Sequence, residues 1–464
     1  MPGFQDLLMN LPGVEGPKQR VLSFKEKLKW TLIILVLFYV LSLIPLFGLG
    51  PNQLQRFEFL AIILGAKFGS IMSLGIGPIV TASIVLQLLN GSGIVKFDLT
   101  THEGKQYFQG VQKVLSVFFI LLEAAIYVFM GGLAPSPGFI GTGVYFQLEL
   151  LLIFQLFLGG ILVLLMDEVV SKWGFGSGIS LFIAAGVSES IFIRALSWLH
   201  PVTNPESFVG AIPEFFRSLA TQNPIGAGLA IASIIATIVV FAIAVYGQAM
   251  KIEIPLSFGR IRGHGIRWPL NFIYTSNIPV ILVAALLANV QLLATLLQNW
   301  GHPLLGTFTS QGSPASGFVL LVTPPNIVRS LIEGSLTGFD IWRAAAYTLF
   351  MIGGAIIFSM FWVQTSGMDA KSQAKQMMAS GLQIPGFRRD ARVLERLLDR
   401  YIWPLTVMGA ALVGFLASIA DVSGALSSGT GILLAVMIIY RLYEDIAKQH
   451  MMDMNPMMRK FMSG

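Results

Sequence analysis

Few side chains in this chain can do chemistry, and their positions narrow what that chemistry is. Glu123 sits midway along an apolar run at about residues 110–133. A carboxyl at that depth marks an ion or proton path, or an interhelical hydrogen bond. Thr81 and Asn289, inside two other apolar runs, are its available partners. Such a bond is worth only about 1 kcal/mol, so the trio reads either as a packing contact or as a polar contact that can switch. Glu149, Asp167, Glu168 and Glu189 lie nearer the ends of their runs, within reach of headgroups or water. The five histidines, His102, His200, His264, His302 and His450, all fall in loops or tails. No HExxH helix, G-x-S-x-G elbow or P-loop lysine is present. Gly176-Ser177-Gly178 offers a serine, but no apolar run supplies a histidine as its base. With no cysteine, disulfides, thiol catalysis, Fe–S clusters and Cys-ligated zinc are excluded. The expectation is a protein that is not an enzyme, with no metal site and no cofactor.

A second set of residues carries no polar atom at all. Ile76, Val80, Ile179, Ile183, Ile281 and Leu434 lie on apolar runs beside glycine or proline breaks. Singly, each reads as core packing or lipid contact. As a set they can form an apolar constriction, which excludes ions by dewetting and grips nothing. Such a ring yields around a chain of any sequence. It suits a conduit for unfolded polypeptide and suits a solute carrier badly.

The elements that hold these residues are membrane spans. The chain has 464 residues, 55% hydrophobic and 12% charged, with mean hydropathy +0.74. That balance belongs to a polytopic membrane protein. Apolar runs predict ten spans, at about 28–48, 75–94, 110–133, 146–169, 177–199, 226–249, 272–297, 341–364, 402–420 and 430–447. An extra apolar segment, 56–70, is about 22 Å long as a helix, short of the hydrocarbon core of about 30 Å. Gly75-Ile76-Gly77-Pro78 then breaks the chain before the second span. Broken helices at membrane depth are tolerated only inside protein or beside a water-filled cavity. Phe4, Leu7, Leu8 and Leu11 read either as a short interfacial helix or as a functionally neutral N-terminal arm. No cleaved signal peptide is expected at the N-terminus.

Of the 30 lysines and arginines, only Arg56, Lys67, Arg194, Arg217, Arg329 and Arg343 fall on the side opposite the termini. The positive-inside rule therefore puts both termini in the cytosol. The expected parts are a cytosolic N-terminal segment (1–27), a first half of five spans (28–200), an outer loop with span six (201–250) and a basic cytosolic loop (251–270). Spans seven and eight (271–365), a second basic loop (366–400), spans nine and ten (401–448) and a cytosolic tail (449–464) follow. The two basic loops exceed what topology needs. Glycine-flanked arginines there suit phosphate or carboxylate recognition on a large cytosolic partner. The chain also repeats itself. Gly77-Pro78-Ile79-Val80 has a counterpart five spans later in Ile278-Pro279-Val280-Ile281. Gly176-Ser177-Gly178-Ile179 has one, again five spans later, in Gly429-Thr430-Gly431-Ile432. An odd number of spans per half means inverted topology, with a pathway between the halves.

These stretches resemble the SecY family, the central subunit of the Sec protein translocation channel, in its archaeal and eukaryotic branch. The resemblance runs over nearly the whole chain. It is most specific at Phe24-Lys25-Glu26-Lys27-Leu28-Lys29-Trp30, Leu74 to Ala82, Gly176 to Gly186 and Ser276 to Ile281. Gly386-Phe387-Arg388 and Gly429-Thr430-Gly431 add to it. It implies an all-α fold of ten transmembrane helices in two inverted pseudo-symmetric halves around an hourglass pore. It also implies passage of unfolded secretory polypeptides, with apolar segments released sideways into the cell membrane. The segment 57–69 would be a half-helix plug, carried by Phe57, Glu58, Phe59, Leu60, Ile62, Ile63, Leu64, Lys67 and Phe68. The six aliphatic residues above map onto the family's pore ring, and Thr81, Glu123 and Asn289 onto the polar cluster of its lateral gate. Arg260, Arg262 and Arg388 would contact the ribosome. Implied partners are a SecE-like subunit, a third small subunit of the SecG or beta type, the ribosome, signal sequences with nascent polypeptide, and membrane lipid. The other readings are a secondary transporter with inverted repeats and a static scaffold for membrane subunits.

Overall fold

The computed structural model describes residues 13–17, 22–50, 66–91, 94–95, 97, 101–200, 207–258, 265–275, 278–309, 313–379, 382–383 and 391–454. The expected N-terminal interfacial helix, most of the expected plug and the three arginines assigned to a ribosome lie outside them.

In hydrocarbon a backbone must satisfy its own hydrogen bonds, so long apolar runs become helices. Among the described residues the helices of ten residues or more are α1 Phe24–Ser42, α2 Gly77–Gly91, α3 His102–Phe129, α4 Gly143–Trp173 and α5 Gly178–Leu196. A short outer helix, α6 Ala211–Ala220, precedes α7 Pro224–Ala249, α8 Ile278–Asn299 and α9 Gly338–Thr365. Last come α10 Ala370–Ala379, α11 Ala391–Val422 and α12 Gly429–Met454. Seven of these (α3, α4, α5, α7, α8, α9 and α11) are long and apolar enough to cross a membrane. The other three expected spans are α1, α2 and α12. Charge at one end of α1 and α12 and the short length of α2 set them apart. Local signals fix several starts. Thr101 caps α3, Asn223 followed by Pro224 opens α7, and Thr337 with Asp340 forms a capping box on α9.

The two halves meet most extensively in two places. In one, α2 packs on α8 and α9; in the other, α5 packs on α12. At both places a stretch faces its own counterpart in the sequence repeat. The chain entering α2 lies against α4 because α4 offers no side chain there. A Cβ added at Gly159 would fall 2.0 Å from the carbonyl oxygen of Ile71. Small residues permit such backbone approach between membrane helices.

The basic end of the bundle departs from expectation. The segment 251–270, expected as a loop, is an antiparallel hairpin of β1 Lys251–Phe258 and β2 Gly265–Asn271. A two-residue pair, β3 Thr307–Phe308 with β4 Pro314–Ser316, closes a loop elsewhere. β5 Leu382–Gln383, from the second basic loop, joins β1 to give a sheet in the order β2-β1-β5. That second loop, expected over 366–400, contains α10 and the first turns of α11. Ile254, Leu270, Ala374, Met377, Leu394 and Leu398 bury one another there. Burial of this apolar face turns two topological loops into one packed unit. At the same end, residues 13–17 are strapped to the bundle. Val14 N donates to Glu168 Oε2 (2.9 Å) and Trp173 Nε1 donates to the Glu15 carbonyl (2.8 Å). Glu168 also pairs with Lys113 and with Lys172.

Candidate functional site

The centre of the molecule is one large apolar cluster. Ile76, Val80, Ile183, Ile281 and Leu434 are all buried members of it, and half-buried Ile179 packs against it. Ile76 and Leu434 are 1% and 0% exposed. Two short turns of chain supply the first half's share. Ile76 sits just before α2 and its carbonyl accepts Val80 N (3.0 Å), so both face one way. Ile179 and Ile183 are one turn apart at the start of α5. Ile281 lies in the first turns of α8, and Leu434 lies in the second turn of α12. Four helices, two from each half, thus bring the six residues together.

On the basic side of this cluster lies a cavity of about 470 Å³, lined by Val80, Ile179 and Ile281 and also by Ser177, Arg441 and Asp445. Arg441 is about 10 Å further along α12 than Leu434 at 1.5 Å per residue. The cavity is therefore apolar at its inner end and charged at its mouth.

On the other side of the cluster only the tail of the expected plug is described. Residues 66–70 form a turn rather than helix, so the expected half-helix does not run through Ser70. Ser70 N donates to the Lys67 carbonyl (3.1 Å), and Leu46 N to the Gly69 carbonyl (2.9 Å). The Phe68 ring meets that of Tyr127 edge-on at 6.4 Å. The turn is thus held at the foot of α1 and against α3. Phe57, Glu58, Phe59, Leu60, Ile62, Ile63 and Leu64 lie outside the described residues.

The polar trio converges at the seam. Thr81, next to Val80 on α2, reaches Glu123 Oε1 on α3 (3.0 Å) and its own helix at the Gly77 carbonyl (2.9 Å). One hydroxyl hydrogen serves one of these acceptors at a time. Asn289 Nδ2 on α8 donates to Thr81 Oγ1 (2.9 Å). This last bond crosses between the halves, whereas the Thr81–Glu123 bond stays within the first. Glu123 Oε2 is buried with no partner among the described residues. Thr81 is therefore the hub, and Asn289 is the member that must leave it if α8 moves away.

Two aspartates matter that sequence reasoning passed over as span-end charges or did not weigh. Asp167 Oδ1 accepts Ile179 N (3.0 Å), and Asp421 Oδ1 accepts Thr430 N (2.8 Å). Each acid thus holds the start of the following helix. The signal was available. Asp167 precedes Ser177 by ten residues, and Asp421 precedes Thr430 by nine, within the two copies of the repeat. No group of three or more acidic or histidine side chains able to hold a metal occurs among the described residues.

A family model described as SecY matches residues 70–443. The chain belongs to the SecY family. The protein translocase subunit SecY of Methanothermobacter thermautotrophicus is 46% identical over 464 residues, covering 99% of this chain and 98% of that one. A solved structure of a protein conducting channel matches with a TM-score of 0.81 at 42% identity, covering 96% of this chain and 97% of that one. Sec61 in the canine ribosome-channel complex from the endoplasmic reticulum matches at 0.77 and 41%, with the same coverage. The span matched by the SecY model contains all six ring candidates and the whole Thr81–Glu123–Asn289 trio. It begins just after the segment 57–69. Nothing in these comparisons supports the secondary-transporter reading.

Proposed function

We infer that this chain is the pore-forming subunit of a protein-conducting channel, passing unfolded polypeptide across a membrane and releasing apolar segments sideways between α2–α3 and α8–α9. One observation carries the reading. Branched aliphatic side chains from both halves meet in a single buried cluster at the junction where α2 abuts α8, below a cavity that opens toward the basic end. Such a constriction seals by excluding water and ions, and it parts without breaking any specific bond. The six aliphatic residues act as the ring, and Thr81, Glu123 and Asn289 as the polar latch of the lateral gate. The segment 57–69 is the plug. A signal sequence opens the seam by offering an apolar helix to lipid. The driving energy comes from a partner, since the sequence carries no nucleotide-binding motif.

The partners follow from the surfaces. Exposed apolar side chains on α1 and α7, among them Leu32, Val36, Ile235 and Ile238, suit lipid and single-helix subunits, of SecE-like and SecG or beta type. The sheet β2-β1-β5 draws the two basic loops together. In the sequence Arg260 and Arg262 follow β1 and Arg388 follows β5, and all three serve as the ribosome-contacting group. Charge asymmetry supports a cytosolic position for that end and for both termini, with the channel in the cell membrane.

The test is ion conductance of the reconstituted complex in planar bilayers. Deleting residues 57–69, or replacing Ile76 or Ile183 with serine, is expected to add a resting leak. Absence of added leak in all three variants refutes the sealing role.

A further inference from the structure

We propose that Asp167 and Asp421 are a matched pair of positioning residues, one in each inverted half, that set the aperture of the aliphatic ring. The inference rests on the ring reading above and adds the groups that hold it in register. Two of the four helices forming the ring, α5 and α12, begin within a turn or two of their ring residues. The first N–H groups of a helix have no partner inside it, and a carboxylate there both accepts their hydrogen bonds and complements the helix dipole. The N-cap of α5, Ser177, makes no side-chain cap bond of its own. Asp167 on α4 takes that place, accepting Ile179 N at 3.0 Å and Ser177 Oγ at 3.4 Å. The backbone it fixes is that of a ring residue, and Ile183 follows one turn later. In the other half Asp421 on α11 accepts Thr430 N at 2.8 Å, and its second oxygen accepts the Thr430 hydroxyl. Leu434 is one turn beyond.

The clamps are inverted like the halves. Asp167 holds its helix from the basic end of the bundle, and Asp421 holds its helix from the opposite end. The two therefore pin the ring from both sides. Asp421 carries one more tie. Tyr347 on α9 donates its hydroxyl to Asp421 Oδ2 at 2.8 Å. Since α9 is a wall of the seam, movement of that wall pulls on the helix that carries Leu434.

The chain has no cysteine, so a reporter pair, Ile183→Cys with Leu434→Cys, can be installed without background. In the assembled complex, bifunctional thiol reagents of graded length measure the gap between them. With Asp167→Ala or Asp421→Ala, the reagent length giving half-maximal crosslinking is expected to lengthen, and resting ion leak to rise about tenfold. Asp167→Asn and Asp421→Asn, which keep one acceptor oxygen, are expected to restore crosslinking by the short reagent. Should an alanine variant fail to assemble, Thr430→Val removes one bond of the clamp and is expected to shift crosslinking the same way by less. An unchanged length profile in the alanine variants, or in Thr430→Val where they do not assemble, overturns the proposal. So does an asparagine variant that behaves like alanine. The crosslink readout does not depend on the seal. If the 57–69 deletion, Ile76→Ser and Ile183→Ser all give no added leak, the sealing role fails, while the positioning role still stands or falls on the length profile.

Discussion

Replacing Thr81 with valine tests the seam at its hub. Valine matches threonine in shape and removes the hydroxyl, so the Asn289 amide loses its partner across the α2–α8 contact. Interhelical hydrogen bonds in membranes average about 0.6 kcal/mol and reach about 1.7. The orphaned amide adds a desolvation cost that only the closed seam incurs, because an open seam lets water or the passing chain solvate it. Together these destabilise the closed state by about 1.4 kcal/mol, a tenfold shift toward opening. The Thr81–Glu123 bond, lost in the same variant, joins α2 to α3 within one half and cancels between closed and open states.

That shift has a direct readout in signal strength. At about 0.5 kcal/mol for each leucine inserted into lipid, Thr81→Val is expected to admit signal sequences about three leucines weaker than the parent does. Insertion of a graded series of signals into reconstituted channels measures the threshold. Adding Asn289→Leu to the same chain removes the orphan and leaves an apolar seam, which adheres to itself. The double variant is therefore expected to demand signals stronger than the parent's. The sign reversal is the test. A threshold that moves by less than one leucine in Thr81→Val, or in the same direction in both variants, refutes the latch.

Other consequences are simpler. Gly159→Ala and Gly429→Ala would place a Cβ 2.0 Å from Ile71 O and 1.9 Å from the Ala420 carbonyl carbon. Each is expected to lower thermal stability by about 1–3 kcal/mol or more. Gly186→Ala and Gly353→Ala, helical positions with nothing within 4 Å, are expected to raise it by about 0.5–1 kcal/mol; equal melting temperatures in all four remove the close-packing argument. Hydrogen bonds from Arg217 hold the Glu214 carboxyl below its ordinary range. The outer helix α6 should thus be secure at neutral pH and loosen as pH falls through that depressed value. Faster exchange of the Phe208 amide, which donates to Glu214 Oε2, reports this, and Glu214→Gln should abolish the dependence. Arg260→Glu or Arg388→Glu should weaken ribosome binding most at low salt; equal affinity there counts against the basic loops as the contact.

The spans were readable because hydrophobic length is a local property. All ten expected runs carry a helix, and the break at Gly75–Pro78 does separate a turn from α2. Reading the run alone put the first span through residue 48, but the helix ends at Ser42, ahead of Pro45. The six aliphatic residues and the polar trio could be named from the sequence as sets but not as contacts, since Thr81 lies 42 residues from Glu123 and 208 from Asn289. Chemistry could nominate the partners; only the fold could say that Thr81 stands between the other two. The hairpin β1–β2 went unread although Ile252, Ile254, Leu256 and Phe258 alternate with polar residues or proline, the period of a strand. The charges that set topology masked that pattern. Asp167 and Asp421 were hidden for a related reason. A carboxylate at a span end looks like a solvated charge until its neighbour is seen to be the start of the next helix.

A weak polar contact directly beside a buried aliphatic cluster suits a seam that has to open. Val80 and Thr81 are consecutive on α2, one in the buried aliphatic cluster and the other bonded to Asn289. If both surfaces were apolar, the seam would close against itself, and opening it into a wet pore would cost about 25 cal/mol for every Å² exposed. If it were held by buried ion pairs, breaking it would cost several kcal/mol and leave uncompensated charge. One neutral hydrogen bond across the seam sits between these extremes. It gives the closed state a defined register, and it is replaced on opening by a bond to water at nearly equal free energy. Thr81→Asp with Asn289→Lys should therefore lock the channel against all but the strongest signals, whereas reversal to Thr81→Asn with Asn289→Thr should preserve near-parental gating. A swapped pair that behaves like the charged pair would show that geometry, rather than bond strength, sets the threshold.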